Sequence, residues 1–150
     1  MPPKLSPNEL RAWQALLHAH QDVNRRLDSE LRRDHDLSLG DYDVLLGLAN
    51  APDGRLRMTE LAERVLVSPS TLTRRVDGLV RDGLVERRRL EGDSRVMMAV
   101  LTDPGRNILR RAAGTHVRGI RQHFSGRLSG KQLRGVASAL EMIVGRHEPH

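Results

Sequence analysis

A single change of period marks the apolar residues of this 150-residue chain. Before Gly83 and after Thr102 they recur every three or four positions, which is the spacing of amphipathic helices. Between these points Met98 and Val100 belong to an alternating pattern beside a polar turn at residues 91–94, and such alternation is typical of a β-hairpin. The sequence therefore predicts a mainly α fold with one small β-hairpin.

Helix start signals divide the rest of the chain into six predicted helices. Serine and threonine accept hydrogen bonds from the unpaired amides of a first turn, and proline fits the first helical position because it lacks an N–H. The predicted starts are Pro7, Ser38, Thr59, Ser68 and Thr102, and a break at Ser129 and Gly130 precedes the last helix. The first helix is expected to end near Arg33, the third near Leu66 and the fourth at Gly83. Because no repeat or flexible linker separates the helices, residues 1–150 are expected to form one domain.

Composition narrows the classes of partner. A net charge of +6 and a pI near 11.0 favour a polyanion such as nucleic acid, although a preference for arginine over lysine can also reflect genomic base composition. Aromatic residues make up 2% of the chain, which argues against base stacking on single strands and leaves duplex nucleic acid. The absence of cysteine excludes disulfides, thiolate metal sites and cysteine nucleophiles.

Other classes of protein lack support in the sequence. No apolar run approaches the ~18 residues of a membrane helix, and the N-terminus lacks the apolar centre of a signal peptide, so a cytoplasmic protein without membrane association is expected. The chain has no glycine-rich phosphate loop and no serine with an evident histidine and acid partner, so neither an enzyme nor a cofactor is expected. His116 and His123 lie two helical turns apart, too far to share a metal ion, so no metal site is expected.

The third and fourth predicted helices are separated by three or four residues, which is the geometry of a helix-turn-helix whose second helix can enter a major groove. A helical wheel turns Leu72, Val76, Leu79 and Val80 toward the core, Ser70, Thr73, Arg74 and Asp77 outward, and Thr71 and Arg75 to the flank. Hydroxyls and a helix N-terminus bind phosphates, and arginine can bind a guanine edge. The predicted DNA contacts on this helix are Ser68, Ser70, Thr71, Thr73, Arg74 and Arg75. An ordinary amphipathic surface helix stays open as the alternative.

The hairpin follows this helix directly, in the position of the wing of a winged helix. Its tip lies away from the core, where Arg95 can enter a narrow minor groove and Asp93 can hold the guanidinium in place. A solvated turn with an incidental ion pair is the alternative. Arg87, Arg88 and Arg89 alternate across a strand and therefore cannot all meet the same partner.

The block MTELAERVLVSPSTLTRRVDGLVRDGLVERRRLEGDSRVMMAVLTDPGR, with its D-x-R wing and L-T-x-x-G-R exit, resembles the MarR family of bacterial transcription regulators. The resemblance extends from about Leu10 to Val144. It implies a winged-helix lobe at residues 38–102 and dimerisation helices at residues 7–35 and 103–147, which intertwine in a homodimer. It also implies that DNA binding is lost when a small phenolic or anionic ligand binds between the lobe and the dimerisation helices.

Four positions resemble the urate-responsive branch of that family. They are Trp13 in the first helix, Asp43 after an aromatic residue in the second, Arg74 in the recognition helix and Arg87 at the start of the wing. An arginine would pair with an anionic ring and the indole would stack on it. The alternative is that Trp13 belongs to a dimer core, Asp43 to the surface, and both arginines to DNA or structural contacts.

Together these observations predict a sequence-specific regulator of transcription that binds double-stranded DNA. We expect a homodimeric repressor on a pseudo-palindromic operator, released by a small anionic aromatic ligand. The broad apolar stripes of the terminal helices support the dimer, with a four-helix arrangement within one chain as the alternative. A ligand-independent architectural or adaptor winged helix is the alternative function.

Overall fold

The computed structural model describes residues 1–145, and in that part of the chain six α-helices accompany one three-stranded antiparallel sheet. The elements in chain order are α1 (Pro7–His35), α2 (Leu39–Ala49), β1 (Arg55–Arg57), α3 (Met58–Arg64), α4 (Pro69–Arg81), β2 (Val85–Leu90), β3 (Asp93–Leu101), α5 (Asp103–His123) and α6 (Gly130–Val144). The predicted fold class is confirmed. The predicted end of the last helix at residue 147 lies outside the described residues.

Most predicted helix starts are confirmed by their hydrogen bonds. The Ser38 hydroxyl accepts from the Asp41 N–H at 3.0 Å, and the Ser68 hydroxyl accepts from the Thr71 N–H at 3.2 Å. The start of α3 was predicted wrongly. Thr59 lies inside that helix, and Arg57 precedes it without a side-chain cap, because the chain passes directly from β1 into the helix.

The short strand β1 was not predicted, since three residues are too few to show an alternating pattern. It pairs with β3, which lies between β1 and β2. The hairpin turn is also tighter than predicted. Leu90 lies opposite Asp93, and Gly92 adopts a positive φ of 90° that a two-residue turn requires and that glycine adopts without strain.

The apolar core belongs to a compact unit of residues 27–116, which extends beyond the predicted lobe because the end of α1 and the start of α5 pack into it. Its largest fully buried side chains are Leu31, Val44, Leu45, Leu48, Leu61, Leu72, Val76, Leu79 and Val85. Val80 is 36% exposed, so its predicted place in the core is wrong. The buried stripe of α4 is therefore narrower than the wheel predicted. It consists of Leu72, Val76 and Leu79, whose spacing of four and three residues places them on one side of the helix.

A close backbone approach joins α5 to the start of β2. The Thr102 hydroxyl donates to the Gly83 carbonyl at 2.7 Å and accepts from the Gly105 N–H at 3.1 Å. A Cβ on Gly105 would collide with the Leu84 carbonyl oxygen. The glycine of the L-T-x-x-G-R segment is therefore required by packing.

Residues 1–26 and 117–145 form a second compact unit. Among the described residues, none in 1–26 and none in 120–145 is buried. A groove of about 790 Å³ within this unit is lined mainly by apolar side chains of α1, α6 and the end of α5, including Leu16, Phe124 and Leu140. This unit therefore lacks an apolar core of its own.

Candidate nucleic-acid interface

The N-terminal half of α4 presents hydroxyls and an arginine on its exposed face. Ser68 caps the helix, and its hydroxyl also lies 3.2 Å from the hydroxyl of Ser70 and 3.0 Å from that of Thr71. Arg74 reaches back to the Thr71 hydroxyl at 3.4 Å. Unpaired backbone amides, clustered hydroxyls and a nearby guanidinium together suit a phosphate group or a base edge.

Thr73 and Arg75 differ in their surroundings from the other predicted contacts on α4. The Thr73 hydroxyl donates to the Pro69 carbonyl at 2.9 Å and is thus used within the helix. Arg75 is half-buried against α2, where a Cβ on Gly40 would collide with its guanidinium. The charge of Arg75 also acts on Asp43, so this arginine faces α2 rather than the exposed face that carries Arg74.

The wing places Arg95 at its exposed tip, where the side chain is 89% exposed. The Asp93 carboxylate accepts from the Arg95 backbone N–H at 3.1 Å and from its guanidinium Nε at 3.2 Å. The hydrogen bond from the guanidinium lowers the pKa of Asp93 most, and the hydrogen bond from the backbone N–H lowers it further. The predicted ion pair is therefore present, and the DNA-binding role of both residues stays a prediction.

The three successive arginines of β2 have three different partners. Arg87 Nη2 lies 2.5 Å from the carboxylate of Asp77 on α4, Arg88 pairs with Glu86 at 2.7 Å, and Arg89 donates to the Ser94 carbonyl at 2.6 Å. The expectation that they serve different partners is confirmed. The contact between Arg87 and Asp77 was missed, because it joins residues ten positions apart on different elements.

The four proposed ligand residues lie in two units. Trp13 belongs to the unit of residues 1–26, where it is 54% exposed, whereas Asp43, Arg74 and Arg87 belong to the unit of residues 27–116. Burial raises the pKa of Asp43, and the charges of His116 and Arg75 act in the opposite direction.

His116 contributes a second titratable group beside Asp43. Its ring packs on that of Tyr42 with the centroids 4.4 Å apart. Burial lowers the pKa of His116, while the Asp43 carboxylate acts in the opposite direction. From the sequence this histidine was expected to be solvated or in an interface rather than a metal ligand, and its contact with Tyr42 was not predicted. In the described part of the chain, no group of three or more histidine and acidic side chains is placed to hold a metal ion.

The excess positive charge lies outside this interface. Residues 1–102 contain 16 basic and 16 acidic residues, whereas residues 103–150 contain 9 basic and 3 acidic residues. Any attraction of the lobe to DNA therefore depends on where individual arginines lie rather than on its net charge. No helix among the described residues has the length and apolar character needed to cross a membrane.

A family model described as MarR family matches residues 35–96. A MarR family transcriptional regulator from Streptomyces coelicolor, solved in complex with DNA, is 33% identical, with a TM-score of 0.91 over 99% of this chain and 93% of that chain. The present chain belongs to the MarR family. A second family member from the same organism, AbsC, is 30% identical, with a TM-score of 0.89 over 97% of both chains.

The MarR fold is thus matched over nearly the whole chain, and the relatives are transcriptional regulators rather than enzymes. Curated relatives match shorter segments. The transcriptional repressor YetL of Bacillus subtilis is 44% identical over 70 residues, which span 47% of this chain and 42% of YetL. The regulator PecS of Dickeya dadantii is 28% identical over 130 residues, or 85% of this chain and 74% of PecS.

Proposed function

We propose that this MarR family member is a repressor that binds a pseudo-palindromic operator in double-stranded DNA as a homodimer and is released by a small anionic or phenolic ligand. The observation that carries the proposal is the presence of two exposed arginines, Arg74 and Arg95, in one compact unit. Arg74 lies on the exposed face of α4, and Arg95 extends from the wing tip. A helix in the major groove and an arginine in the adjacent minor groove together read a site longer than either element reads alone.

The homodimer is supported by the apolar surface of the unit formed by residues 1–26 and 117–145. Its exposed apolar side chains include Leu10, Trp13, Leu16, Leu17, Phe124, Leu140, Met142, Ile143 and Val144. A large exposed apolar surface on a single chain marks an interaction site. In a two-fold homodimer the same surface of both copies forms the interface, so a second copy of these helices can cover it. Two recognition helices would then lie about 34–36 Å apart, one turn of duplex DNA.

Release by a ligand is supported by half-buried polar groups next to α4. Asp43 and His116 lie within the same unit as the recognition helix, and Arg75 of α4 acts on Asp43. An anionic ring bound there would compete with the carboxylate for Arg75 and so act on the recognition helix.

Selection of bound duplexes from a random DNA pool tests the DNA proposal. We expect recovered sites with two-fold symmetry and half-sites one helical turn apart, bound at least about a thousandfold more tightly than unrelated duplex. Asymmetric sites, or a preference far below this ratio, would contradict the dimeric repressor and favour an architectural role.

A titration with urate and salicylate tests the ligand proposal separately. We expect Trp13 fluorescence to change and bound operator to be released over the same range of concentration. If neither signal responds to either anion, ligand release is wrong, while the DNA proposal stands on its own result.

A further inference from the structure

We propose that Arg87 is a positioning residue that locks the recognition helix α4 to the wing and so sets the spacing between the two DNA-reading elements. The inference rests on the proposed DNA binding and assigns Arg87 a role other than ligand binding. It follows from contacts within the unit of residues 27–116.

The Arg87 guanidinium makes two contacts with one turn of α4. Its Nη2 lies 2.5 Å from the Asp77 carboxylate and 3.3 Å from the Thr73 carbonyl oxygen, to which it donates. Thr73 and Asp77 are four residues apart and therefore lie above one another on the helix. One side chain from the sheet thus holds both the backbone and a side chain of the recognition helix.

The strand register explains why Arg87 rather than Arg88 can do this. Arg87 lies opposite Ala99, which in turn lies opposite Leu56, and both of these residues are buried. Its side chain is 29% exposed, compared with 62% for Arg88 on the opposite side of the strand. Arg87 therefore extends from the side of the sheet that faces the helices, whereas Arg88 extends into solvent and pairs with Glu86.

The same hairpin that holds α4 at its base carries Arg95 at its tip. Arg95 lies on β3, and β2 and β3 are hydrogen-bonded from Val85 to Leu90. The contact of Arg87 with α4 links the helix that bears Arg74 to the strand pair that bears Arg95. A fixed spacing between the two arginines lets both engage one site without a further loss of conformational freedom on binding.

A direct phosphate contact by Arg87 would produce the opposite electrostatic behaviour. Asp77 is an exposed acid on the same face of α4 as Arg74, so its removal should strengthen DNA binding by any arginine that is no longer paired. If Arg87 acts by position, removal of Asp77 should instead weaken binding to the specific site. Whether removal of Asp77 strengthens or weakens binding to the specific site therefore distinguishes a phosphate contact by Arg87 from a positioning role.

The test compares Arg87→Met and Asp77→Ala with the matched control Arg88→Met in the full chain. Affinity is measured for the selected operator and for unrelated duplex across a range of salt, at a temperature where every variant is folded. We expect Arg87→Met and Asp77→Ala each to lower the preference for the operator roughly tenfold, the effect of losing one good base contact. The slope of log affinity against log salt should stay unchanged, whereas a lost phosphate contact would reduce it by about 0.9.

Three results would overturn the inference. They are tighter operator binding by Asp77→Ala, a reduced salt slope in Arg87→Met, and an equal loss of preference in Arg88→Met. If the unsubstituted protein shows no preferred site, the DNA proposal fails, and hydrogen exchange then decides whether Arg87 holds α4. Faster exchange of the amides of residues 72–78 in Arg87→Met than in Arg88→Met would support that contact, and equal exchange would exclude it.

Discussion

One carboxylate oxygen of Asp93 accepts two hydrogen bonds from Arg95, from the backbone N–H at 3.1 Å and from the guanidinium Nε at 3.2 Å. The acid therefore orients both the turn and the side chain of an arginine that is otherwise exposed. Orientation before binding reduces the side-chain freedom that is lost when DNA is bound.

The first prediction concerns this pair. Arg95→Ala is expected to weaken operator binding by about 1–3 kcal/mol, because it removes a minor-groove contact without disturbing the core. Asp93→Ala should weaken binding less, since the arginine remains but loses its support. Fluorescence anisotropy with labelled operator measures both affinities, and thermal unfolding checks that the fold is retained.

Arg88→Ala is the control for this prediction, because Arg88 is also an exposed arginine of the hairpin and pairs with Glu86. Its operator affinity should differ little from that of the unsubstituted protein. Equal affinities for Arg95→Ala and the unsubstituted protein would remove the wing tip from DNA recognition.

The second prediction concerns the start of the recognition helix. Ser68→Ala removes the oxygen that accepts from the Thr71 N–H, and the loss of such a cap costs about 1 kcal/mol of unfolding free energy. Ser70→Ala is the matched change, since Ser70 lies inside α4 and caps no amide. It should shift the free energy of unfolding by less than about 0.5 kcal/mol. Urea unfolding of both variants measures the difference, and equal midpoints would show that the cap does not stabilise α4.

The third prediction is a pH dependence caused by His116. Burial lowers the pKa of His116 below its unfolded value of 6.5, so the unfolded chain takes up a proton at a higher pH than the folded chain does. The free energy of unfolding should therefore decrease as the pH falls from 6.5 toward the folded-state pKa. Below the folded-state pKa the histidine is protonated in both states, and its titration no longer changes the free energy of unfolding.

The measurement is the difference in unfolding free energy between the unsubstituted protein and His116→Gln at several pH values. That difference should decrease between pH 7 and pH 5. The pKa of Asp43 is raised, so titration of this carboxyl group increases the free energy of unfolding as the pH falls. Asp43 is present in both the unsubstituted protein and His116→Gln. His18→Gln, at an exposed position of α1, serves as the control. A difference that does not change with pH would contradict the prediction.

The fourth prediction concerns assembly. Leu140→Glu places a charge in the apolar groove lined by α1, α6 and the end of α5, and burial of that charge in an interface is unfavourable. We expect the variant to sediment as a monomer at concentrations where the unsubstituted protein is a dimer. Ser138→Glu adds the same charge at an exposed position of the same helix and should remain dimeric. Dimers of Leu140→Glu with unchanged stability would place the interface elsewhere.

Local signals in the sequence predicted most of the secondary structure. Ser38 and Ser68 cap their helices because a side-chain oxygen and a nearby backbone amide meet within a single turn. The hairpin follows from its alternating apolar residues and from Gly92. The exposed face of α4 was predicted correctly because helical geometry alone turns Arg74 away from Leu72 and Val76.

Contacts between elements required the tertiary structure. The strand β1 is defined only by its pairing with β3, and Thr59 loses its predicted capping role because that strand runs directly into α3. Arg75 and Arg74 are adjacent in the sequence, yet only the packing of α4 against α2 places Arg75 beside Gly40 and Asp43.

The sequence by itself therefore determined the order of the elements, the helix caps and the family, since these depend on neighbouring residues and on a recognisable block. The sequence also predicted the pairing of Arg95 with Asp93, but only the tertiary structure decided that Arg87 meets Asp77. Arg87 and Asp77 lie on different elements, and their contact depends on the angle at which α4 packs on the sheet. That angle results from the burial of many core side chains together, so no local pattern records it.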